Sequence, residues 1–130
     1  MRQSQDIWQE QCDAGQRVLE NHGADSALDY LVGEKLMVYV ATAEERPEFA
    51  RELPKFVARV REIFGTEVLA GYVATLSEVY RDGERAAVEA IATGNDEDDG
   101  IVDRPEEWVT EARRLDRIRD LLTAERLGTG

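Results

Sequence analysis

The sequence predicts an all-α protein, a single compact irregular bundle of five to six helices spanning residues 1–130. Three observations predict it. Apolar side chains recur every three to four positions along most of the chain. No stretch alternates with period two, and the valines all fall in helical patterns. The 130 residues are 42% hydrophobic and 34% charged, enough for one core and too polar for a membrane-spanning chain.

The first helix carries Ile7, Trp8, Cys12, Gly15, Val18 and Leu19 at helical spacing. Ser4 is placed to cap its start and Gly23 to end it, with His22 in the last turn, where a cation is favoured by the dipole. A second helix begins at Asp25 or Ser26 and buries Leu28, Leu31, Val32, Leu36, Tyr39, Val40 and Ala43 as one stripe. It stops before Pro47, because the residue preceding a proline resists helical angles.

Pro47 suits a first helical position, but Pro54 removes a backbone donor seven residues on. The expectation is therefore a short turn at 48–53 and a separate helix from Pro54 to Phe64, facing inward with Phe56, Val57, Val60, Ile63 and Phe64. Thr66 caps a fourth helix with Val68, Leu69, Tyr72, Val73, Leu76, Val79 and Tyr80. Gly83 interrupts it, yet Tyr80, Gly83, Ala87 and Ile91 keep register as far as Thr93. An acidic loop, 95–104, follows. A last helix starts near Pro105 with Trp108, Ala112, Leu115, Ile118, Leu121 and Leu122 on one side, and residues 127–130 fray. Both tryptophans are expected in the core. Gly15, Gly33 and Gly71 lie within helices, where each costs about 1 kcal/mol relative to alanine unless a neighbouring helix comes close. Tyr39-Val-Ala-Thr recurs at Tyr72-Val-Ala-Thr, but the match extends no further, so no repeat is assigned.

Charge restricts the function. The net charge of −12 argues against binding nucleic acid through phosphates and against an anionic membrane surface. Seven acids and one base fall between Asn95 and Glu107, a local charge of −6 that is half the total. No signal-like apolar stretch opens the sequence and no run of about 18 apolar residues occurs, so a cytoplasmic location is expected. The single cysteine permits no internal disulfide.

Catalytic equipment is sparse. Cys12 and His22 are ten residues apart on one helix, about 15 Å along its axis, too far to form a dyad. No nucleophile elbow, phosphate loop or dinucleotide fingerprint is present. No catalytic residue and no resident cofactor are assigned, although an enzyme working with carboxylates alone stays open.

The acidic segment resembles an EF-hand calcium loop. Asn95, Glu97, Asp99, Asp103 and Glu106 take the first, third, fifth, ninth and twelfth positions, and Gly100 the sixth. The resemblance implies Ca²⁺ as a possible ligand. Asn and Glu replace the usual residues at the first and third positions, and no second hand is present. The plainer reading is a solvated turn leading into a helix start.

Arg51, Lys55 and Arg59 recur every four residues as a basic stripe, with Glu52 and Glu62 near enough to pair with them. The leading functional expectation is a non-enzymatic protein-interaction module. Its contacts are Asp96, Asp98, Asp99 and Glu107, with Arg51, Lys55 and Arg59 as a second surface, and its partner is a basic protein or another copy. The alternative is an acidic mimic of DNA that inhibits a nucleic-acid enzyme, of the antirestriction or anti-CRISPR kind.

Overall fold

The computed structural model describes residues 3–93 and 104–128, and side chains as far as Thr123. Every described element is helical: α1 (Ser4–His22), α2 (Ala24–Leu28), a π-helical segment (Asp29–Leu36), α3 (Met37–Ala43), α4 (Pro47–Phe64), α5 (Thr66–Thr93) and α6 (Pro105–Gly128). From Ala24 to Ala43 the three consecutive elements make one rod, so the chain folds as five rods.

The corners are tight because glycine makes them. Gly23 (φ 94°) and Gly65 (φ 91°) are the two described residues with left-handed backbone. Each joins two helices with no intervening loop. Ser4 lies inside α1, and Gln3 occupies the cap position without a side-chain cap bond.

The core forms where the apolar stripes of the rods meet. All seven residues expected inside the second rod are buried, at 6% exposure or less. Above them Phe56 is a hub: Trp8 stacks on it at 6.1 Å and Tyr39 meets it edge-on at 5.1 Å, while Tyr39 also lies tilted against Phe49 at 4.8 Å. The sequence pattern gives no sign of the π turns. Gly33 lies within them, and a Cβ there would stand 2.9 Å from the Tyr72 hydroxyl. That hydroxyl donates to Asp29 Oδ1 at 2.7 Å, tying α5 to the widened turns. Burial, and then this bond to the Asp29 carboxylate, push the Tyr72 pKa upward.

The expected break at Pro54 does not occur; α4 runs unbroken from Pro47 to Phe64. A proline inside a helix costs about 3 kcal/mol. Against that, the continuous rod buries Phe49 and Leu53 in register with Phe56, Val57 and Val60, and each such side chain contributes roughly 1.5–3 kcal/mol. Two added hydrophobes therefore match or exceed the cost, and Pro54 itself stays on the exposed side.

Helix α5 continues through Gly83 to Thr93, about 42 Å in length. Glycine is needed at 83 because the Trp108 ring lies against its backbone; an added Cβ would approach the ring to 2.6 Å. Trp108 is half-buried, with Tyr80 6.0 Å away, and its Nε1 is buried without a hydrogen-bond partner among the described residues. Gly15 serves the same purpose within α1, where the Leu31 side chain occupies the space of a Cβ. Gly71 has open space around it, so close approach does not explain that position.

One further expectation changes. Val68 and Val79, read as inward-facing, are 48% and 50% exposed. Helix α6 extends to Gly128. Among the described residues, no helix is long and apolar enough to cross a membrane.

Candidate functional site

The basic stripe is largely engaged within its own monomer. Lys55 Nζ reaches Glu52 Oε2 at 3.0 Å, and Arg59 Nη1 reaches Glu62 Oε2 at 3.2 Å, both one helical turn apart. Arg59 also donates to Gln16 Oε1 at 3.4 Å, linking α4 to α1. Glu52 does more than neutralise lysine: Trp8 Nε1 donates to its Oε1 at 3.1 Å. That bond first, and Lys55 second, hold the Glu52 carboxyl below the usual carboxylate range. Arg51 stays exposed on the same face.

Cys12 sits at the bottom of the α1 stripe, 1% exposed. Burial pushes its pKa from 9.0 up to about 12, and the nearby Arg59 guanidinium only partly offsets this. The thiol is a small core hydrophobe, as the sequence suggested, and His22 is exposed at the far end of α1. Because the folded chain holds the thiol proton more tightly than the unfolded chain, the stabilisation is complete below about pH 9. It is lost as pH rises from there toward about 12. Native protein at pH 8 is expected to resist iodoacetamide and to be alkylated fully once unfolded in urea; rapid labelling of native protein would contradict this placement.

Asn95, Asp96, Glu97, Asp98, Asp99 and Asp103 lie outside the described residues. Of the calcium-loop set the structure describes only Glu106, which with Glu107 is exposed in the first turn of α6, where the helix dipole favours carboxylates. Among the described residues no group of three or more His, Cys, Asp or Glu side chains is arranged to hold a metal ion.

What the fold adds is the surface on which the acidic segment is mounted. Helices α5 and α6 pack antiparallel along most of their length. The contact of Gly83 with Trp108 sets the register and places Pro105 about level with Ala86. The last two turns of α5 thus extend past the start of α6. On this end Val88 and Ile91 are 51% and 52% exposed, and Val109 stands exposed on α6. Ile91 keeps the stripe register read from the sequence but lies beyond the described part of α6 that could cover it.

In the half of the hairpin away from the acidic segment, α5 and α6 line an open groove of about 280 Å³. Val73 and Leu122 form its floor, with Ala70 and Ala74 beside them. Ser77, the one buried polar residue among those described, opens onto it. Glu78 and Arg81 on α5, and Asp116 and Arg119 on α6, form its rims. Sequence reasoning missed this groove; its one signal is a serine on an otherwise apolar helical stripe. A second concavity of about 380 Å³ lies between α1 and the π-helical turns, bordered by Asp13, Arg17, Tyr30 and Lys35.

Beyond the groove, Arg114 ties α6 to the α3–α4 corner. Its Nε and Nη2 grip the two oxygens of Glu44 at 2.9 and 3.3 Å, and Nη1 reaches Glu111 at 2.9 Å. The Arg114 bond holds the Glu44 carboxyl below its usual range.

No known family, curated protein or solved structure matches this chain.

Proposed function

We propose that the protein is a non-enzymatic interaction module whose partner is a basic protein, met at the end of the α5–α6 hairpin where the acidic segment 95–107 is attached. The observation that carries this reading is the exposure of Val88, Ile91 and Val109 at the end where the sequence concentrates a charge of −6. Carboxylates steer a basic partner and speed encounter, whereas apolar side chains supply the contact that survives once water is expelled. Neither half suffices alone: exposed charge pairs contribute little in salt water, and three scattered aliphatics make a small patch.

The test is affinity capture from the native host at low and high salt, followed by binding measurements with the purified partner. Binding is expected to weaken as salt rises. Neutralising Asp96, Asp98 and Asp99 to asparagine should weaken it about tenfold or more at low salt. Ile91→Asp, at an exposed position, should weaken it at every salt concentration. A partner indifferent to all four changes would contradict the assignment.

A further inference from the structure

We draw no further inference here: the strongest candidate, the polar concavity between α1 and the π-helical turns, carries nothing, because the charges that border it (Glu10, Asp13, Arg17 and Lys35) are of both signs and single out no ligand, and the buried polar atom of its lining that lacks a partner, Gln11 Oε1, is shut off from solvent and so from any occupant.

Discussion

Phe56→Ala is expected to be the most damaging single substitution, lowering the unfolding free energy by about 3–5 kcal/mol. Phe56 is fully buried and joins three rods, with Trp8 of α1 stacked on one face and Tyr39 of α3 against its edge. Removing the ring deletes its transfer free energy and leaves Trp8 and Tyr39 facing a void they cannot fill without moving α1 relative to α3. Ring pairs of this kind contribute about 0.5–1.5 kcal/mol beyond their buried area. A domain of this size is stable by roughly 5–15 kcal/mol, so the loss is a large fraction of the total. Urea denaturation followed by helical circular dichroism measures the loss, and a change below about 1 kcal/mol would show that Phe56 is not the hub of the core.

Gly15→Ile is expected to cost about 3 kcal/mol, at the upper end for overpacking. Two effects compete at this site. Replacing a helical glycine gains roughly 1 kcal/mol from backbone entropy. The new side chain, however, enters the space already held by Leu31, which is fully buried and has nowhere to retreat. The steric effect wins for isoleucine, since even its Cβ overlaps Leu31. Adding Leu31→Ala to Gly15→Ile should recover part of the loss, because the two side chains share one volume. If the double variant is as unstable as the sum of its parts, the conflict lies elsewhere. At Gly71, where a Cβ meets nothing, alanine is expected to be neutral or mildly stabilising in the same denaturation series.

Most of the architecture was legible because burial follows the period of the helix. The Leu28 to Ala43 stripe, the α5 run to Thr93 and the α6 start at Pro105 all follow from spacing. The failures share a cause: local rules were outweighed by contacts between rods that are distant in sequence. Pro54 should end a helix, but Phe49 and Leu53 find the core only if it continues. The π turns at Asp29–Leu36 leave no mark on the apolar pattern, because they alter the ladder and not the set of buried residues. Val68 and Val79 look like core residues by type, yet they fall on a face of α5 that no other described rod covers. The candidate surfaces were less legible than the fold. The acidic run could be read directly, but the overhang of α5 that mounts it depends on the register between Gly83 and Trp108. The basic residues Lys55 and Arg59 resolved into pairs with Glu52 and Glu62 because carboxylates stand one turn away. Ser77 carried no signal until α6 was seen to close one side of it.

Residue-resolved backbone chemical shifts in solution test the central claim, that continuous amphipathic rods around one shared core organise this chain. Helical shifts are expected without interruption through Pro54 in α4 and through Gly83 in α5, and from Leu28 to Val40 across the π-helical turns. Extended shifts over Leu28–Val40 or Val68–Tyr80 would contradict it, and with it the hairpin on which the proposed function is built.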